Sequence, residues 1–142
     1  MPTDVSLKRF APALLRFTMA AVFVWFGTAQ LLHSEMWVGF LPEFMLYTPI
    51  APSTLVLVNG SAEIVLAVLL ATGVYIRLSA LILGLHLLGI AWNIGWNPTG
   101  MQDFGLALAT LAISLRGDDF LSLDRFLKNK KLIRVSPVQP PK

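Results

Sequence analysis

The sequence predicts an all-α membrane protein: an antiparallel bundle of four transmembrane helices with both termini cytoplasmic. Three observations carry that reading. Hydrophobic residues make up 56% of the 142 residues and charged ones 13%, too few to give every helix a solvated face. Four apolar stretches, Ala13–Leu32, Ser53–Thr72, Leu78–Trp96 and Met101–Leu115, reach or approach the roughly 20 residues needed to cross a hydrocarbon core. All 11 lysines and arginines lie before or early in the first stretch, between the second and third, or after the fourth; the connections 33–52 and 97–103 hold none. The positive-inside bias then puts those two connections outside.

Residues 1–12 read as a short polar cytoplasmic segment containing Pro2 and Pro12. The first stretch follows Lys8 and Arg9 as a signal peptide would. It is longer than a signal core and carries the bulky run Phe23-Val-Trp-Phe26, so an uncleaved anchor is expected. In the first outer connection Trp37, Phe40, Leu41 and Phe44 recur at helical spacing, and Pro42 breaks or restarts that helix. The expectation is an amphipathic piece in the outer interface, Trp37 and Tyr47 at headgroup level, acting as a plug or as a lid over a pocket. Gly73-Val-Tyr-Ile-Arg77 is a tight inner turn and Asn97-Pro98-Thr99-Gly100 an outer one.

The fourth stretch rises only about 22 Å unless Gly100 and Arg116 extend it. A re-entrant segment there would strand seven basic residues outside, so a full crossing is favoured. Past Gly117, Phe120–Ile133 alternates apolar and basic faces and is expected along the inner surface, followed by a disordered tail at Ser136–Lys142. The transmembrane domain is thus 13–117, and 118–142 is a basic interfacial segment with its tail.

The chemistry is bounded by what is missing. Without cysteine there is no disulfide exchange and no thiolate-held zinc or iron–sulfur cluster. The two histidines, His33 and His86, sit about 15 Å apart in depth and cannot share one haem. No metal site and no covalent cofactor is expected. The basic residues hug helix ends, which points to lipid headgroups and not nucleic acid. Arg16, Arg77 and Arg116 are read as orienting, headgroup-facing residues, with Arg16 snorkelling from its helix end.

Each stretch carries a small or polar stripe at steps of three and four: Arg16, Ala20, Phe23, Gly27 and Gln30; then Asn59, Glu63 and Ala67; then Ser79, Ile82, His86, Gly89 and Asn93; then Asp103, Ala107, Thr110 and Ser114. Lipid rejects polar groups, so the four stripes should face one another. Glu63 and His86 both fall about 15 Å from the outer ends, at the midplane, where either charge alone is expensive. Asn59 and Asn93 would continue a polar path outward, with Gln30 and Asp103 near its mouth. Two readings stay open: interhelical glue, or a proton-accepting or headgroup-binding site. If Glu63 and His86 face each other, Glu63→Gln should keep a hydrogen-bonding group and change stability little under either reading; glue predicts that it stays active, a proton-handling site that it folds but is inactive.

Several strings resemble the DoxX-like family of small four-helix membrane proteins: Leu15-Arg16, Phe23 through Gly27, Gly60-Ser-Ala-Glu63, Gly73-Val-Tyr-Ile-Arg77 and Gly117-Asp-Asp-Phe-Leu-Ser-Leu-Asp124. The resemblance covers roughly residues 13–126, with Arg16, Glu63, Arg77 and Asp124 at matching positions. The family often has lysine three residues after the first-helix glycine, where this chain has Gln30. The resemblance implies a multi-pass cell-membrane protein, since some relatives are subunits of thiosulfate:quinone oxidoreductase or of membrane-associated redox complexes. The expected role is a membrane subunit or quinone-facing anchor of a redox complex, at most a non-catalytic or quinone-binding part of an oxidoreductase. Quinone, membrane lipids, redox-complex subunits and a second copy of the chain are the expected partners. The alternatives are a small-solute or lipid-handling carrier and a structural assembly factor.

Overall fold

The computed structural model describes residues 3–126, and these are helical with no strand. Helix α1 (Thr3–Leu32) leads into a broken connection made of α2 (Ser34–Trp37), a 3₁₀ turn (Val38–Phe40) and α3 (Glu43–Leu46). Three long helices follow: α4 (Pro52–Thr72), α5 (Ile76–Ile94) and α6 (Pro98–Arg116). Three spans are long and apolar enough to cross a membrane: Lys8–Leu32, Pro52–Thr72 and Ile76–Ile94. With 19 residues, α6 rises about 28 Å, but Thr99, Gln102, Asp103, Thr110 and Ser114 leave it more polar than the other three.

Where the helices start departs from the sequence reading at two places. The proposed polar entry 1–12 is helical from Thr3, and Pro12 lies inside α1. Proline there removes one backbone bond. Contacts just N-terminal to it compensate: the Phe10 ring meets Phe120 edge-on at 4.9 Å, and the Arg9 guanidinium stands 5.5 Å above the same Phe120 ring. At the other boundary, Asn97 caps α6 by accepting a hydrogen bond from the Gly100 N–H at 2.9 Å, and Pro98 takes the first helical position. The expected outer turn 97–100 is therefore the first turn of α6, which supplies the length that the apolar run alone lacked.

The long helices associate as two close pairs, α1 on α4 and α5 on α6, which meet more loosely through α4–α5 and α1–α6. The first pair closes on glycine. A Cβ on Gly27 would stand 2.7 Å from the Gly60 carbonyl oxygen, and one on Gly60 would stand 2.8 Å from the Gly27 carbonyl oxygen, so the backbones touch. In the second pair Gly84 accepts the Leu111 side chain, beside buried Ala80, Leu83, Leu87 and Ala91.

The inward stripes of α1, α4 and α6 follow the expected residues, but that of α5 does not. Ser79 is buried, yet Ile82 is 42% exposed, and Gly89 and Asn93 are exposed as well. The physical reason is the tight α5–α6 packing, which turns the Ala80–Leu83–Leu87–Ala91 face inward and leaves the His86 side on the edge towards α4. Beyond Phe126, the expected interfacial segment to Ile133 and the tail 136–142 lie outside the described residues.

Candidate functional site

The two ends of the molecule handle buried charge differently. At the end carrying Arg77 and Arg116, Arg16 is 1% exposed, so it does not snorkel. Its Nε donates to Asp119 Oδ2 at 2.7 Å and its Nη2 to Oδ1 at 3.4 Å. Its Nη1 donates to the Leu70 carbonyl at 2.8 Å and to the Ala71 carbonyl. One guanidinium thus ties α1 to the last turn of α4 and to the chain after α6. Headgroup contact is excluded for Arg16, because its fork of donors is spent inside the protein. Arg77 and Arg116 are exposed. The turn after α4 is held by the same segment: Asp124 Oδ2 accepts from the Tyr75 N–H at 2.8 Å, and Gly73, at φ +78°, leaves no room for a side chain against Ser122.

The opposite end, beneath the 33–52 connection, holds a cavity of about 850 Å³ between the two helix pairs. Its roof is the broken connection, with Trp37, Phe40 and Phe44 lining it. Trp37 packs edge-on against Phe26 at 5.7 Å and turns inward, while Tyr47 is 86% exposed. Tyr47 is thus open to the surroundings, whereas the Trp37 ring has an aromatic partner inside. The connection covers the cavity, as both the plug and the lid readings allow. Asn93 does not line the cavity. Its Nδ2 donates to the Phe40 carbonyl at 3.4 Å, so it tethers the roof to α5 and continues no polar path.

At the cavity's polar wall the sequence candidates meet. Glu63, 4% exposed, accepts from Gln30 Nε2 at 2.9 Å through Oε2. Its Oε1 accepts from Asn59 Nδ2 at 3.0 Å and lies 3.2 Å from His86 Nε2. Asn59 Nδ2 also donates to Gln30 Oε1 at 2.8 Å. The Gly27–Gly60 contact makes this possible, since Gln30 lies directly against Gly60. Glu63 and His86 face each other across α4 and α5, as the depth argument requires.

Asp103 stands apart. It is 8% exposed and lines the cavity, yet among the described residues no hydrogen bond or ion pair reaches its carboxylate. No lysine or arginine lines the cavity among the described residues. Sequence reasoning missed Asp119, the Arg16 partner, while Trp37, Phe40 and Phe44 of the lining are the residues it read as a plug or lid. Asp119 had a visible signal, an acidic pair directly after the Gly117 that ends α6.

An all-helical chain with three spans apolar enough for a bilayer, packed around an acid-bearing cavity, is an integral membrane protein. The family model described as DoxX matches residues 11–96, more than half of the chain, and the protein belongs to that family. No curated protein and no solved structure matches it.

Proposed function

We propose that the protein is the membrane subunit or quinone-facing anchor of a redox complex in the cell membrane, with four crossings and cytoplasmic termini. The observation that carries this reading is the roofed aromatic cavity that ends on the Glu63–His86–Gln30–Asn59 cluster. Its volume lies in the range of small-molecule sites, about 300–1,000 Å³. Flat rings stack on aromatic walls. Trp25, Val58 and Leu85 line the cavity and are each more than half exposed on the helix surfaces, so a lipophilic tail can leave sideways. A quinone, when bound, would supply the electron-carrying chemistry. The chain's own residues would hold the ring, exclude water and position a carboxylate–imidazole pair able to share a proton.

The sideways opening also favours one rival, a lipid-handling carrier, because an acyl chain could leave by the same route. Arg16 and Asp119 close the other end, which argues against passage through the molecule. Gentle-detergent purification, analysed for proteins, quinones and lipids together, tests the choice. Copurified quinone or a soluble oxidoreductase supports the redox reading, and phospholipid alone supports the carrier.

A further inference from the structure

In this cavity the Glu63 carboxylate is met by donors, and the Asp103 carboxylate is not. Asn59 commits both amide hydrogens, one to Gln30 Oε1 and one to Glu63 Oε1. Gln30 commits one to Glu63 Oε2, and His86 Nε2 is turned onto Glu63 Oε1. Glu63 is therefore satisfied by the protein itself. Asp103 is the reverse: more than nine-tenths buried, open to the cavity, and without a partner among the described residues. A carboxylate that opens onto a cavity favours a ligand group that donates to it, because a hydrogen bond to a charged acceptor is stronger than one to a neutral acceptor.

The geometry points to Asp103 as the group that reads the ligand, selecting a polar end that donates a hydrogen bond over one that only accepts. Resting on the quinone reading above, this names the reduced form, the quinol, as the preferred occupant. Its hydroxyl donates to the Asp103 carboxylate, whereas a quinone carbonyl would set acceptor against acceptor. Asp103 lies on α6, outside the family-matched residues 11–96.

Equilibrium binding of a tritiated short-chain benzoquinone and of its quinol to the purified full chain, in detergent under anaerobic conditions, tests the assignment. The quinol should bind roughly tenfold more tightly, the factor that one charge-assisted hydrogen bond supplies. In Asp103→Asn, whose amide can donate to a carbonyl, the preference should fall to about twofold or less, with the cluster at Glu63 untouched. Equal affinity of the two forms for the wild-type protein overturns this inference and leaves the quinone reading standing. Binding of neither form overturns the quinone reading, and this inference with it. If Asp103→Asn keeps the full preference, another group reads the ligand. Should that variant fail to fold, the wild-type ratio decides alone.

Discussion

Arg16 and Asp103 are both charged side chains buried in a protein that offers lipid, not water, on its flanks, and the chain treats them in opposite ways. Arg16 is surrounded by a carboxylate and two carbonyl oxygens from two parts of the chain, and each of these contacts is made within the protein. Asp103 lines a cavity and is left without a partner among the described residues. Burying a charge carries the same kind of penalty at both ends. Where the protein cancels it, the group fixes the fold. Where it leaves the group open to a cavity, the position is suited to a ligand. Between the extremes lies Glu63, a carboxylate that the chain has satisfied with three side chains.

The largest effect should come from breaking the cancelled end. Arg16→Ala strands the Asp119 carboxylate and the Leu70 and Ala71 carbonyls, and losing one partner of a buried pair costs about 3–5 kcal/mol. Thermal unfolding in detergent, followed by tryptophan fluorescence, should show a large fall in the transition. An Arg16→Ala protein as stable as the wild type would remove the latch from the account. Next comes Gly60→Ala, whose Cβ would lie 2.8 Å from a backbone oxygen on Gly27 and 2.9 Å from the Gln30 Cβ. Overpacking of this kind costs about 1–3 kcal/mol. It also pushes Gln30 away from Glu63, so the same variant should weaken quinone binding. Gly89→Ala, where nothing stands within 4 Å of the added carbon, is the matched control for stability.

This contrast was only half legible in the sequence. Periodicity and depth put Glu63 and His86 at one level, and helix geometry did the rest, because both lie near the middle of helices with well-marked ends. Periodicity also found the inward faces of α1, α4 and α6. It missed the face of α5, where nearly every residue is apolar or small and several faces could pack equally well; the α6 partner decides, through Gly84 and Leu111. Arg16 was misjudged for a related reason. A cation near a helix end snorkels unless something inside accepts it, and Asp119 is 103 residues away in sequence. The roof was legible as broken helices around Pro42, but its inward turn depends on the contact of Trp37 with Phe26, which no spacing announces.

A smaller effect is expected at Glu63, and here the structure revises the sequence expectation. Gln30, Asn59 and His86 all point towards its two oxygens, so Glu63→Gln replaces one acceptor with a donor and must lose a bond. The loss should be about 0.5–1.5 kcal/mol, the size of one interhelical hydrogen bond in a membrane. Glu63→Leu, which strands all three partners, should cost more. Melting curves of the two variants give the comparison. If Glu63→Gln melts with the wild type, the three-donor arrangement is wrong and the carboxylate is freer than the geometry indicates. A topology check belongs beside it: reporters at residues 45, 75, 99 and 142 should read out, in, out, in, and a cytoplasmic signal at 45 would invert the whole assignment.

The smallest change in stability should come from the roof, and that is what makes the roof informative. Asn93 reaches the Phe40 carbonyl at 3.4 Å from an exposed position, a bond longer than the usual range. Asn93→Ala should shift stability by about 0.5 kcal/mol or less, as exposed substitutions generally do. Binding should respond more. The α2-to-α3 connection holds Trp37, Phe40 and Phe44 over the cavity, and releasing its tether to α5 frees those rings from the ligand they would cover. The expected signature is faster ligand dissociation with an unchanged melting temperature, read by washing labelled quinol from immobilised protein. A variant that releases ligand at the wild-type rate would mean that the roof is held by its own packing on α1 and α4, and that Asn93 has no part in closing it. A variant that instead loses stability would move the roof to the same side of the comparison as Arg16, making it part of what holds the helices together.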